Sequence, residues 1–150
     1  MAIAARRELV FTALPGSSRE EVLRSLAQAV ADTGEVLDSE RLFDELVARE
    51  RLGSTAIGGG VAIPHAKIVG LRAPLLAVGL APQGLDYDAP DGEPVRVLFL
   101  IASPAEAPAE HLRLLAAISR WLGPRAARGA TLLTAGSAER ICALLAEDPK

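Results

Sequence analysis

Only two histidines, His65 and His111, occur among the 150 residues of the chain. Imidazole ionises near neutral pH and serves as metal ligand, acid, base or nucleophile, so the residues around these two rings decide which chemistry is open. A metal site is the first option. The histidines stand 46 positions apart, neither HExxH nor CxxC occurs, and no carboxylate is marked as a further ligand, so no metal is expected. A serine hydrolase needs a Gly-x-Ser-x-Gly elbow, which Ser54 does not form. The run Gly58-Gly59-Gly60 is neither a Walker loop, which continues into Gly-Lys-[Ser/Thr], nor a dinucleotide fingerprint opening a helix. What remains is histidine as a nucleophile. A neutral ring keeps one nitrogen protonated and offers the lone pair of the other, to which a phosphoryl group could be attached.

Such a site needs an acceptor that fixes the tautomer, donors for the phosphoryl oxygens and a cation that offsets the added charge. Glycine backbone at 58–60 approaches closely. His111, near a predicted helix start, combines a donor with the favourable end of the helix dipole. Arg49 or Arg51 supplies a guanidinium. Periodicity does not choose between these arginines, which flank opposite edges of the Leu42, Phe43, Leu46, Val47 stripe, with Glu50 nearest its centre. On residue types alone the structural readings prevail: a histidine after a strand packs, and an arginine at a helix C-terminus satisfies terminal carbonyls.

The elements that must position these groups are legible in outline. Residues 8–14 read as a strand closed by Pro15-Gly16. Ser17 and Ser18 precede Glu20 and Glu21 at capping-box spacing, and Val22, Leu23, Leu26, Ala27 and Val30 then repeat at helical period until Gly34. A second helix runs from Asp38 or Ser39 to Gly53. Val61 and Ile63 alternate as in a strand, and Pro64 places His65 where that strand ends. The apolar runs 74–81 and 95–102 predict strands buried on both faces, separated by turn chemistry at Asp91-Gly92. A helix carrying His111, Leu112, Leu115 and Ile118 ends at Gly123-Pro124. A short helix over 126–135 follows, and a last one runs from Ser137 to about Glu147, with Ile141, Leu144 and Leu145 inward. This order predicts an α/β fold with a mixed sheet and helices on both faces.

Composition sets the outer bounds. The length predicts one domain over residues 1–150, and half of the residues are apolar, enough for a core. The net charge is -3, and Arg6-Arg7 is the densest basic cluster, which excludes the footprint of a nucleic-acid binder. No apolar run reaches the roughly 18 residues of a membrane span. One cysteine, Cys142, forms no internal disulfide and reads as core packing, and a cytoplasmic location is expected.

The stretch Arg49-Glu50-Arg51-Leu52-Gly53-Ser54-Thr55-Ala56-Ile57-Gly58-Gly59-Gly60-Val61-Ala62-Ile63-Pro64-His65-Ala66-Lys67 closely resembles the phosphorylation-site signature of the type-2 enzyme IIA domains of the bacterial phosphoenolpyruvate phosphotransferase system. Asp91-Gly92-Glu93-Pro94-Val95 and His111-Leu112-Arg113-Leu114-Leu115-Ala116 extend the likeness over nearly the whole chain. The resemblance implies a three-layer α/β/α sandwich and a phosphotransferase component with a phosphohistidine intermediate. By that likeness His65 accepts the phosphoryl group on Nε2 from a phosphohistidine of an HPr-like carrier, and His111 donates to a phosphoryl oxygen. Arg49 rather than Arg51 compensates charge, Thr55 and Gly58 shape the pocket, and no cofactor is implied.

The wording around His65 is most similar to the nitrogen-regulatory branch or the closely related fructose branch, although Ala66 stands where glycine is often found. The first implies control of a regulatory target protein by phosphorylation state, the second transfer to a cysteine of an enzyme IIB. A third reading, an interaction module that keeps the fold without phosphorylation, is opposed by the joint presence of His65, His111 and Arg49.

Overall fold

The computed structural model describes residues 3–36, 38–123 and 125–147. After a 3-10 turn at Arg7–Leu9 come β1 (Val10–Phe11), α1 (Arg19–Ala31), α2 (Ser39–Arg51), β2 (Ala56–Gly58), β3 (Val61–Ala62) and β4 (His65–Ile68). They are followed by β5 (Leu75–Leu85), β6 (Val95–Pro104), α3 (Pro108–Leu122), α4 (Arg125–Leu133) and α5 (Ala138–Ala146). The strands form one six-stranded sheet in the order β1-β5-β6-β3-β2, with β4 also paired to β6. β1 runs parallel to β5, and β3 and β4 run parallel to β6, whereas β5 with β6 and β2 with β3 are antiparallel, so the sheet is mixed as predicted.

Nine of the ten residues of β6 are buried, which makes it the central strand. Side chains alternate across a strand, and the two halves of that alternation feed two cores. Leu98, Leu100 and Ala102 pack under Val22, Leu26, Leu42 and Leu46 of α1 and α2. Val97, Phe99 and Ile101 pack under Ile118, Trp121, Leu132, Ile141 and Leu145 of α3, α4 and α5. Helices thus cover both faces of the sheet, giving the three-layer sandwich. The indole Nε1 of Trp121 donates to the carbonyl of Leu144 at 3.1 Å, which ties α3 to α5.

The helix starts follow capping chemistry. Ser18 Oγ accepts from the Glu21 N–H at 3.2 Å, while the Glu21 carboxylate reaches back to Ser17. At α2, Asp38 Oδ1 accepts from the Glu40 and Arg41 N–H groups, satisfying donors that the first turn leaves without intrahelical partners.

Two strand expectations are corrected. The predicted strand over 8–14 shrinks to Val10–Phe11 behind the 3-10 turn. The Leu14 N–H still donates to Leu80, but its side chain lies over Gly79, where an added Cβ would stand 2.4 Å from Leu14 Cδ1, so the chain bends away from the ladder. His65 does not follow the end of a strand but opens one. Val61 pairs with Val97 and His65 with Ile101, the same offset, so β3 and β4 lie along one line interrupted at Ile63-Pro64. Pro64 has no N–H for the ladder, and the Ile63 N–H turns instead to Thr55 O at 3.0 Å.

Candidate functional site

The interruption aims His65. Residues paired across a parallel ladder point to the same face, so His65, Ile101 and Ser103 share the face covered by α3, while Ala66 and Ile68 enter the opposite core with α1 and α2. Among the described residues β4 pairs with no strand other than β6, so this part of the sheet is an edge that side chains from both helical layers can reach.

The half-buried ring of His65 lies 2.8 Å from the Ile63 carbonyl through Nδ1. A carbonyl only accepts, so in the neutral ring the proton resides on Nδ1 and the lone pair on Nε2. Toward that nitrogen Arg49 directs its Nε–H at 3.3 Å. The same guanidinium donates from Nη1 to Gly53 O at 2.8 Å, which holds its plane against the end of α2. Arg49 and Gly53 are separated by one turn, so the contact both caps the helix and orients the cation. Arg51 is exposed and takes no part.

His111 is the fourth residue of α3, which begins at Pro108. Its ring centroid is 5.2 Å from that of His65, with the planes tilted by 52°. Its Nδ1 lies 2.6 Å from Ser103 Oγ on β6. Burial pushes the His111 pKa below the ordinary histidine value, and mutual repulsion of the two imidazoles in their protonated forms and the Lys67 ammonium push it further down, which favours the neutral ring at pH 7.

Thr55 and Gly58 lie close in sequence to this group but make other contacts. The Thr55 N–H donates to Glu50 Oε1 at 2.8 Å and its hydroxyl donates to Glu50 Oε2. Tyr87 adds a third donor to the same carboxylate at 2.6 Å. Glu50, Thr55 and Tyr87 are all buried. Burial, followed by the charge of Glu50, drives the Tyr87 phenol far above its usual pKa, so it remains a donor. Ser54 completes the junction by donating to Tyr87 O at 2.6 Å and accepting from the Ala56 N–H. This network fastens the last turn of α2, which carries Arg49, to the start of β2 and to the loop after β5.

Gly58 has φ +90°, and a Cβ there would stand 3.4 Å from Asp91 Oδ2. That carboxylate accepts from the Gly59 N–H at 2.9 Å and from the Glu93 N–H, contacts that hold its pKa below the usual carboxylate range. The glycine run therefore turns against the Asp91-Gly92 loop.

The sequence places Glu50 at the centre of an apolar stripe, and that is the one signal that could have marked it as a buried, bonded carboxylate. Nothing in the sequence marks Ser103 or Tyr87 as partners. Cys142 is half-buried against the α3–α5 core, and burial raises its thiol pKa. Among the described residues no three His, Cys, Asp or Glu side chains converge as metal ligands. No described helix is long and apolar enough to cross a membrane.

A ring nitrogen held against a guanidinium, beside a second imidazole, is suited to receiving an anionic group. Comparison with known proteins points the same way. The chain is 43% identical over 109 residues to a nitrogen regulatory protein of Pseudomonas aeruginosa, covering 73% of this chain and 71% of that one. It is 35% identical over 140 residues to a fructose-specific EIIA component of Haloferax volcanii, covering 93% and 90%. The crystal structure of nitrogen regulatory protein IIA-Ntr from Neisseria meningitidis superposes with a TM-score of 0.86 at 30% identity, covering 94% of this chain and 95% of that one. Residues 5–148 match the family described as "Phosphoenolpyruvate-dependent sugar phosphotransferase system, EIIA 2", so the chain belongs to that family of phosphotransfer components.

Proposed function

We propose that the chain is a reversible phosphoryl carrier of nitrogen-regulatory type, with Nε2 of His65 as acceptor. The observation that carries this reading is the Nδ1 contact of His65 with the Ile63 carbonyl, which leaves the Nε2 lone pair facing Arg49. The donor is a phosphohistidine of an HPr-like phosphocarrier. As the donor's N–P bond breaks, the Nε2–P bond forms in line. His65 keeps its Nδ1 proton on Ile63, and the electron pair of the broken bond returns to the donor ring. No proton has to move during transfer, so the site acts by positioning and by charge stabilisation. Arg49 faces the transferred group, and His111 supplies a second donor.

The added group brings roughly -1.5 to -2 charges to a half-buried surface site. That is sufficient to recruit or repel a regulatory target without refolding. The nitrogen regulatory proteins among the relatives support this output. A sugar-transport role, with transfer onward to a cysteine of an enzyme IIB, is the second reading, and the fructose-specific relative that aligns over most of the chain favours it.

Incubation with phosphoenolpyruvate, enzyme I and an HPr-like carrier is expected to give an acid-labile phosphate that His65→Ala abolishes. Label that survives this substitution rejects the assignment. Adding enzyme IIB proteins separates the two outputs, because rapid loss of label to an enzyme IIB cysteine marks the sugar role.

A further inference from the structure

We propose that Ser103 is a positioning residue of this site: its hydroxyl donates to Nδ1 of His111 and so fixes the proton of that ring on Nε2. The inference rests on the reading of His65 as the phosphoryl acceptor. Ser103 is fully buried, and its Oγ lies 2.6 Å from His111 Nδ1. Two directions of this bond are conceivable, and hydrogen-bond accounting separates them. If Nδ1–H donated to Ser103, the serine proton would be sealed in the sheet without an acceptor, since no other hydrogen bond of Ser103 Oγ exists among the described residues. Leaving a buried donor unmade is more costly than any preference between imidazole tautomers. With the serine donating, both groups are satisfied, and neutral His111 must carry its proton on Nε2.

The far nitrogen of His111 has no protein partner among the described residues, yet no buried side-chain nitrogen or oxygen there is left unsatisfied. Nε2 is therefore open to solvent rather than sealed. A donor is thus held ready, on a ring 5.2 Å from that of His65, for an oxygen of the group carried there. Register explains why position 103 performs this task. Two residues beyond Ile101, the strand partner of His65, the same face of β6 is presented to the first turn and a half of α3. An aliphatic residue at 103 would leave the His111 tautomer to chance, and the opposite tautomer would aim a lone pair at a phosphoryl oxygen.

Long-range 1H–15N correlation spectra of the full chain read the proton directly. The unmodified protein is expected to show an unprotonated Nδ1 and a protonated Nε2 at His111. Ser103→Ala should spread the proton over both nitrogens and slow acceptance by His65 about 3- to 10-fold, the worth of one neutral hydrogen bond, with the KM for the carrier unchanged. In a His111→Ala background Ser103→Ala should have no further effect, because Ser103 acts through that ring. Ser103→Thr, which keeps the hydroxyl, should retain the Nε2 proton, and it decides the matter if the alanine variant does not fold. A protonated Nδ1 in the unmodified chain, or a Ser103→Ala loss that persists without His111, overturns the proposal. If the unmodified chain takes no label on His65, the carrier reading fails, while the ring spectra still test Ser103.

Discussion

Replacing Arg49 by alanine removes the one guanidinium that, among the described residues, touches the proposed acceptor nitrogen. Its Nε stands 3.3 Å from His65 Nε2, so a phosphoryl group on that nitrogen would lie within direct contact of the guanidinium. Two unit charges about 4 Å apart interact by about 4 kcal/mol at the effective dielectric of a protein surface, and by about 1 kcal/mol in bulk water. The site is half-buried and falls between these limits, and a charge-assisted hydrogen bond measured by mutation contributes about 1.5 to 3 kcal/mol. A loss of about 2 to 3 kcal/mol corresponds to about 30- to 150-fold slower phosphoryl acceptance. Arg49→Lys should fall between the two, because an ammonium keeps the charge but cannot donate to His65 and to Gly53 O with one rigid plane. Arg51→Ala is the control: Arg51 is exposed, and its removal should change the rate by less than about twofold. Rapid-quench measurement of label transfer from the phosphorylated carrier gives these rates, with circular dichroism to verify the fold. An Arg49→Ala rate within about twofold of the unmodified protein, or an Arg51→Ala defect as large as that of Arg49→Ala, would refute the electrostatic reasoning.

Three further outcomes are expected. Glu50→Ala strips the acceptor from Thr55 N–H, Thr55 Oγ–H and Tyr87 O–H inside the protein; it should cost about 3 to 5 kcal/mol in urea unfolding and also slow phosphorylation by loosening the turn that carries Arg49. Because the Tyr87 pKa is higher folded than unfolded, its contribution is complete below pH about 10 and is lost above it, with a slope of about 1.4 kcal/mol per pH unit; Tyr87→Phe should flatten alkaline unfolding there, and an unchanged slope would remove the buried phenol as its cause. Gly58→Ala places a side chain at φ +90° beside the Asp91 carboxylate and should lower stability by about 1 to 2 kcal/mol, measured by thermal unfolding, while leaving the contact of His65 with Ile63 in the NMR spectrum intact.

Much of the fold could be read from the chain because it depends on short-range rules. The cap residues Ser18 and Asp38 satisfy the first turns of α1 and α2, and the apolar run at 95–102 matches a strand buried on both faces. These are properties of contiguous residues. The length of β1 escaped because it is set by Leu14 folding over Gly79, a contact between segments far apart in sequence. The resumption of the ladder at His65 escaped for a similar reason: Pro64 marks an interruption, but only the continuous pairing offset with β6 shows that the strand goes on.

The sequence by itself determined the chemistry that is available: two imidazoles, a glycine run, a proline before His65 and two candidate guanidiniums. It also placed a carboxylate at the centre of an apolar helix face, where burial demands partners. Tertiary structure decided which groups meet. Arg49 and Arg51 are equivalent to periodicity, one on each edge of the same stripe, and only the edge position of β4 brings the first of them to His65. Likewise the tautomers of both rings are set by oxygens of Ile63 and Ser103. The proton of an imidazole goes wherever its neighbours' donors and acceptors send it, and for His111 that neighbour is fixed by strand register and helix packing rather than by local sequence.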